Sequence, residues 1–185
     1  MPWRPKLAGL AQSPETDLES APSFTLGESH GQRRERDNEA MASGLIRCAH
    51  CGQMNRVPAA AAGTPRCGKC HQPLPWITDA DDATFGEVAE SVKIPVLIDL
   101  WAPWCGPCRM VSPALEQLAR DLAGQLKLVK VNVDVSPQVS RRFDAQAIPT
   151  LLVLRDGKVV ARQTGAAPLA ALRAWVEDAL AGAAH

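Results

Sequence analysis

The chain has 185 residues, 46% of them hydrophobic, and its twenty Lys and Arg residues balance twenty Asp and Glu residues. This length fits one domain with extensions or two small domains, and the charge balance argues against a general binder of polyanions. No run of 18 apolar residues could span a membrane, and residues 1–17 lack the apolar core of a secretory signal peptide. Three disulfides would be hard to keep oxidised in a cytosolic chain, so we expect the six cysteines to do metal or redox chemistry.

The first segment, residues 1–40, contains four prolines, a charged stretch at 32–37 and few large apolar side chains. Such a composition buries too little apolar surface to offset the entropy lost on ordering, so we expect this segment to be disordered. The alternative is that the segment is not native, because Met41 opens the next segment as a start site would.

The second segment, residues 41–75, holds four basic residues, no acidic ones and four of the six cysteines. These cysteines form two C-x-x-C pairs separated by 15 residues, which is the spacing of a zinc ribbon. We therefore predict one structural Zn²⁺ ion with four thiolate ligands, Cys48, Cys51, Cys67 and Cys70. Metal binding would supply the folding energy that so short a segment cannot obtain from a core.

Neighbouring residues bear on this zinc prediction. Gly52 and Gly68 are expected to give each C-x-x-C turn the backbone freedom it needs. His50 and His71 are possible replacement ligands, and two structural disulfides are a further alternative. Because both cysteine pairs are intact, we expect both histidines to be exposed beside a closed four-thiolate site that has no open position for catalysis.

The third segment, residues 76–185, alternates strands and helices and carries a net charge of −2. We predict strands at 76–78, 95–101, 126–133, 150–154 and 158–164, and helices at 81–92, 106–122, 137–143 and 168–180. The second strand is nearly all apolar, as expected for a strand buried on both faces. Asp156 with Gly157 marks a hairpin turn between the last two strands. This order predicts a three-layer α/β/α sandwich around a mixed sheet.

Local signals refine three of the helices. Either Asp81 or Asp82 is expected to cap the first, and Ser136 is expected to cap the third. Pro113 should kink the second helix, because proline deletes a backbone hydrogen bond. The predicted apolar positions of that helix are Met110, Val111, Leu115, Leu118 and Leu122.

The third cysteine pair lies where the strand at 95–101 meets the helix at 106–122. Cys105 would sit at the helix N-terminus, where the helix dipole and free N–H groups favour a thiolate. Cys108 lies one turn further along on the same side, within reach of Cys105 for a disulfide. We expect an exposed nucleophile and a sheltered resolving thiol here, and an inert structural disulfide is the alternative.

Several motifs together resemble the thioredoxin family. They are Asp99-Leu-Trp-Ala-Pro-Trp-Cys-Gly-Pro-Cys108, Lys130-Val-Asn-Val-Asp134, Ile148-Pro149-Thr150, Asp156-Gly157 and Gly165. The resemblance covers about residues 76–180, and with the preceding ribbon it is closest to the bacterial branch of the family that contains zinc. It implies a thioredoxin fold at 76–185 that follows a small zinc ribbon.

The resemblance also implies roles for four residues. Cys105 attacks a target disulfide, and Cys108 then resolves the mixed disulfide. Asp99 resembles the family's buried carboxylate, which accepts a proton from Cys108 because burial raises its pKa. Its alternative role is that of a buried hydrogen-bond acceptor. Lys130 resembles the lysine near this acid, and its alternative role is that of a strand-end cation.

The family also implies an apolar surface on which the extended chain of a target docks. Its residues are Trp104, Gly106, Pro107, Ile148, Pro149 and Gly165. Pro149 resembles the cis-proline that faces the active site, and Trp101 is expected to pack in the core beneath that site. The sequence departs from the family at Asp144, where glycine is common, although Asp tolerates a left-handed backbone at modest cost.

The function implied is that of a cytoplasmic protein-disulfide reductase, recharged by an NADPH-dependent thioredoxin reductase. We expect a monomer without an organic cofactor, a membrane contact or a nucleic-acid partner. Within the same class the alternative is an oxidase or isomerase. From a different class, the alternative is a zinc-ribbon redox sensor or interaction module that uses the thioredoxin domain as a docking scaffold.

Overall fold

The computed structural model describes residues 44–61 and 63–182. The predictions for residues 1–40, disorder and a non-native origin, and the start-site interpretation of Met41 lie outside the described residues. Among the helices of the described part, none is both long enough and apolar enough to cross a bilayer.

Two sheets organise the described residues. The smaller is an antiparallel pair of β1 (Leu45–Arg47) and β2 (Met54–Arg56). The larger contains β3 (Trp76–Ala80), β4 (Val96–Trp101), β5 (Lys127–Asn132), β6 (Thr150–Arg155) and β7 (Lys158–Thr164). Its spatial order is β3-β5-β4-β6-β7, with β3, β5 and β4 parallel and β6 and β7 antiparallel to their neighbours. The predicted mixed sheet is therefore confirmed.

Helices cover both faces of the large sheet, which confirms the three-layer sandwich. On one face lie α1 (Gly106–Asp121) and α3 (Leu169–Gly182), whose buried apolar side chains pack against alternate residues of the strands. On the other face lie α2 (Pro137–Arg142) and a single π-helical turn at Gly86–Glu90. The same apolar cluster on this second face continues into the cysteine-rich segment through Ile46, Val57 and Leu74.

Two details of the predicted helices are wrong. The helix expected at 81–92 contains only the π-helical turn, although Asp81 does cap the segment by accepting the N–H groups of Ala83 and Thr84 at 3.1 and 2.9 Å. Helix α1 runs from Gly106 through Pro113 as predicted, but Met110 is 73% exposed. Successive helical residues point about 100° apart, so the buried stripe centred on Val111 leaves Met110 at its edge.

Ser136 is the N-cap residue of helix α2 as predicted, with Pro137 at the first helical position, but a distant carboxylate accepts the capping hydrogen bonds. The Asp82 carboxylate accepts the N–H groups of Gln138 and Val139 at 2.9–3.1 Å. Ser136 makes no capping hydrogen bond, and its buried hydroxyl has no partner among the described residues. A carboxylate forms stronger hydrogen bonds to a helix N-terminus than a hydroxyl does, which explains the replacement.

Backbone conformation supports the predicted turn. Asp156 and Gly157 have φ values of 50° and 71°, as a two-residue hairpin between β6 and β7 requires. Asp144 has φ 48°, so the position that departs from the family pattern does adopt a left-handed backbone.

Candidate functional site

The third cysteine pair lies at the start of helix α1. Cys105 is the N-cap residue, and it forms a disulfide with Cys108, one turn into the helix. The Cys108 N–H donates to the Cys105 sulfur at 3.1 Å. Pro107 occupies the first turn, where its missing N–H costs nothing. The helix therefore directs a hydrogen-bond donor and its positive end at Cys105, an arrangement that stabilises a thiolate.

The predicted exposure of Cys105 is wrong for this disulfide form. Cys105 is 4% exposed and Cys108 is fully buried. The Cys105 sulfur lies 3.7 Å from the carbonyl oxygen of Ile148, and the pair packs against Ala102 and Trp101. Trp101 thus packs beneath the site as expected.

The backbone around Pro149 forms the wall opposite the cysteines. The Ile148–Pro149 peptide bond is cis, as the family resemblance implies. The N–H of Gly165 donates to the carbonyl of Pro149 at 2.8 Å, and Gly165 has φ 89°, a conformation that favours glycine. Ile148 and Gly165 are therefore brought to the same wall, while Pro107 is exposed on the helix side.

Trp104 is the most exposed aromatic residue of the site. Its side chain is 69% exposed, and its indole N–H donates to both carboxylate oxygens of Asp134 at 3.0 and 3.2 Å. The sequence analysis counted Asp134 within a motif but assigned it no role. These hydrogen bonds to Asp134 hold the exposed indole ring of Trp104 next to Cys105, as the predicted docking role of Trp104 requires.

A buried acid, Asp99, lies on strand β4, six residues before Cys105. Asp99 is fully buried, and neither of its carboxylate oxygens has a hydrogen-bond partner among the described residues. Burial raises the pKa of Asp99 to about 7, with Lys130 opposing the shift and Glu116 adding to it. The carboxyl can therefore exchange a proton near neutral pH.

Lys130 is next to this acid in the sheet, but its ion-pair partner is a different one. The register of the strands places Lys130 of β5 between Asp79 of β3 and Asp99 of β4. Its ammonium pairs with Glu116 of α1, the Nζ–Oε1 distance being 3.2 Å. Sequence analysis missed Glu116, and the only signal was an acid directly beside the apolar stripe of the helix.

The first two cysteine pairs converge as predicted. The four sulfur atoms of Cys48, Cys51, Cys67 and Cys70 all lie within 4.8 Å of one another. Tetrahedral zinc with Zn–S bonds of about 2.3 Å needs sulfurs about 3.8 Å apart. The observed separations of 3.6 Å for Cys48–Cys70 and 3.5 Å for Cys51–Cys67 fit such an ion. Backbone hydrogen bonds from Cys70 and Lys69 lower the pKa of Cys67, which favours a thiolate there, while burial and the hydrogen bonds shared among the four sulfurs raise the pKa of Cys70 when no metal is bound.

Residues around this cluster differ in part from the expectation. His50 and His71 are exposed, and the cluster contains only the four cysteines among the described residues. Gly52 has φ 75° after the first pair, but after the second pair the left-handed residue is His71, with φ 59°, and not Gly68. Asn55 was missed: its side-chain amide donates to the Cys67 sulfur at 3.7 Å, and its oxygen accepts the Gly68 N–H at 3.0 Å.

Two family models match separate parts of the chain. The thioredoxin family model matches residues 76–178, and a model described as Thioredoxin 2, N-terminal, matches residues 47–72. A thioredoxin of Haemophilus influenzae is 46% identical over 98 residues, which cover 53% of this chain and 92% of that protein. Thioredoxin C-3 of Corynebacterium nephridii is 37% identical over 140 residues, 74% of this chain and 95% of the relative. A Bacillus subtilis thioredoxin is 43% identical over 104 residues, 56% of this chain and 98% of the relative.

Proposed function

The chain belongs to the thioredoxin family of thiol-disulfide oxidoreductases, and from that premise we propose that it is a protein-disulfide reductase. The observation that carries the proposal is the placement of Cys105 at the N-terminus of α1, in a disulfide with Cys108, together with a buried, unpaired carboxyl, Asp99, on the strand that leads into this helix. The helix N-terminus favours a thiolate at Cys105, and Asp99, with a pKa near 7, can serve as a proton acceptor.

The reaction starts from the reduced protein. The Cys105 thiolate attacks one sulfur of a target disulfide, a mixed disulfide forms, and the first target thiolate leaves and takes up a proton. Asp99 accepts the proton of Cys108, whose thiolate then attacks the Cys105 sulfur. The Cys105–Cys108 disulfide forms as the second target thiolate leaves. The target gains two electrons from the protein and two protons, one that the Cys108 thiol gives up by way of Asp99 and one from solvent.

The target docks on the surface next to Cys105. Trp104 and Pro107 are its exposed members, and Ile148, Pro149 and Gly165 form the opposite wall, with Gly106 at the start of the helix between them. The extended backbone of a target, aligned along the cis Ile148–Pro149 segment, would bring its disulfide to the Cys105 sulfur. Lys130 would act on Asp99 through its charge, as its neighbour in the sheet.

The partners follow from the chemistry. Disulfide-containing proteins are the substrates, and an NADPH-dependent thioredoxin reductase returns the two electrons. We propose a cytoplasmic location, since a dithiol reductant is useful only where it is kept reduced. We also propose that the protein is a monomer. The zinc ribbon, proposed for residues 41–75, would be structural: four thiolates close the coordination sphere, and no organic cofactor is needed. A ribbon that acts as a redox sensor is not favoured, because Cys48 and Cys67 are at most 2% exposed.

Insulin reduction with dithiothreitol as the electron source tests the proposal. The wild-type protein should accelerate insulin reduction by dithiothreitol, and Cys105→Ser should abolish that acceleration. Full activity of Cys105→Ser would contradict the mechanism. The matched variant Cys108→Ser keeps the nucleophile but lacks the resolving thiol, so, once it is reduced and freed of dithiothreitol, it should accumulate a covalent adduct with insulin. The adduct is measured by mass spectrometry, and its absence would also count against the assigned roles.

A further inference from the structure

Lys130 is surrounded by three acids, two on strands and one on a helix. Asp79 and Asp99 flank it in the register of β3, β5 and β4. Glu116 lies on helix α1, and its carboxylate forms an ion pair with the Lys130 ammonium, with an Nζ–Oε1 distance of 3.2 Å. Among the described residues, Asp99 has no hydrogen-bond partner on either oxygen. The lysine therefore pairs with the helix acid and not with the buried strand acid beside it.

Glu116 is held in the position from which it binds Lys130. Its side chain is 9% exposed, and Arg120, one turn further along α1, pairs with its second oxygen at 3.5 Å. The ammonium of Lys130 also lies 5.5 Å from the ring centre of Trp101, a weak attraction that helps to fix its position. Because the Glu116 carboxylate is largely shielded from water, its attraction to the two cations is weakly screened, and this attraction holds the side chain in place.

The electrostatic surroundings of Asp99 make the choice of partner matter. The charges that act on Asp99 are those of Lys130 of β5 and Glu116 of α1. Asp79 of β3 lies on the far side of Lys130 in the register, Arg120 pairs with Glu116, and Cys108, the proposed proton donor, is on the same helix. The other elements packed around Asp99 contribute apolar side chains: Leu151 of β6 is its register partner, and α3 buries Leu172 and Val176. In such surroundings a direct ion pair with a lysine lowers a carboxyl pKa by about one to three units.

We propose that Glu116 is a positioning residue for proton transfer from Cys108: by holding the Lys130 ammonium, it keeps the Asp99 carboxylate unpaired and therefore basic. The proposal rests on the proposed reductase function. In the step concerned, the proton moves from the Cys108 sulfur to Asp99, and the Cys108 thiolate then attacks the Cys105 sulfur. A lysine paired with Asp99 would make that carboxylate a weaker base and slow the step.

The test is Glu116→Gln, which keeps the shape of the side chain and removes its charge. The titration midpoint of Asp99 is followed by carbon-13 NMR of its carboxyl group in the oxidised protein. We expect the midpoint to fall by about one pH unit or more, because Lys130 is released to pair with Asp99 and a nearby anion is lost. Glu116→Ala removes the same charge and should shift the midpoint in the same direction.

Two further variants separate capture of the lysine from a general change of charge. Asp121→Asn removes a carboxylate from the same helix, where it pairs with Arg173, and should leave the midpoint unchanged. Adding Lys130→Met to Glu116→Gln removes the freed cation, and the midpoint should return to the wild-type value or rise above it.

The pH profile of insulin reduction gives a second readout. In Glu116→Gln, the acidic midpoint of this pH profile should shift to lower pH together with the titration midpoint of Asp99. A midpoint of Asp99 that is the same in Glu116→Gln as in the wild type would overturn the proposal, whatever the activity. Absence of insulin reduction by the wild-type protein would instead overturn the reductase function, so the two failures are distinguishable.

Discussion

The ammonium of Lys127 donates a hydrogen bond of 2.6 Å to the backbone carbonyl of Ala59, joining strand β5 to the segment that follows β2. The same ammonium donates to the carbonyl of Val88 and lies 4.0 Å from the ring centre of Trp76. The indole N–H of Trp76 donates in turn to the carbonyl of Pro58 at 2.9 Å. Lys127 is fully buried, and burial lowers its pKa to about 8. The ribbon segment is therefore fastened to the thioredoxin domain by buried polar contacts.

Removing this lysine should destabilise the whole protein. Lys127→Ala leaves two buried carbonyl groups without donors and opens a cavity, so we expect the free energy of unfolding to fall by about 2–4 kcal/mol. Urea unfolding at pH 7 measures the change. Lys158→Ala, on the exposed start of β7, is the matched control and should change stability by less than about 0.5 kcal/mol. Equal effects of the two substitutions would contradict the role given to Lys127.

Asn55 should tune the affinity of the cysteine cluster for zinc. Its amide donates to the Cys67 sulfur, and a hydrogen bond of this kind orients a metal ligand. Asn55→Ala is expected to weaken zinc binding by about 10–100-fold. Competition with a chromogenic chelator measures the affinity, and Gln53→Ala, whose amide donates to the carbonyl of Met54, serves as the control. The prediction fails if Asn55→Ala and wild type bind zinc equally well.

Stability should depend on pH through Asp99. Burial raises its pKa from 3.8 to about 7, so between those values the unfolded state loses a proton that the folded state keeps. The free energy of unfolding therefore falls as the pH rises from about 4 to 7, by roughly 4 kcal/mol in total. Asp99→Asn should abolish this fall, making the oxidised variant more stable than wild type at pH 8 and similar at pH 4. Urea unfolding at the two pH values tests this, and parallel behaviour of the two proteins would refute it.

Much of the architecture could be predicted because its determinants are local in the sequence. The strands are short apolar runs, and the hairpin depends on two adjacent residues, Asp156 and Gly157, with positive φ. The redox site could also be predicted, since Cys105 and Cys108 are three residues apart at a strand-to-helix junction. The zinc cluster needed only the spacing of two cysteine pairs.

What could not be predicted depends on contacts between residues distant in the chain. Glu116 and Lys130 are 14 residues apart on a helix and a strand, and only the sheet register brings Asp99 beside them. The capping of α2 by Asp82 spans 56 residues, so the local signal of Ser136 placed the start of the helix but not the group that accepts hydrogen bonds from its N–H groups. The sequence pattern therefore predicts which apolar residues are buried, but it does not predict which polar groups pair with each other.

The cysteines should divide into two classes in solution. The reduced, purified protein should contain one zinc ion per chain and two reactive thiols, Cys105 and the slower, fully buried Cys108, because Cys48, Cys51, Cys67 and Cys70 are held by the metal. Elemental analysis and a thiol reagent under native conditions measure both numbers. Six titrating thiols without zinc would contradict the assignment of the ribbon.

The reduction potential of the Cys105–Cys108 pair tests the central claim, that this protein is a reductase, most directly. The oxidised protein is equilibrated with known ratios of reduced and oxidised dithiothreitol, and the dithiol fraction is read by alkylation and mass spectrometry. The account predicts a potential close to that of thioredoxins, about −270 mV. A value near about −120 mV, which is that of a strong disulfide oxidant, would contradict it.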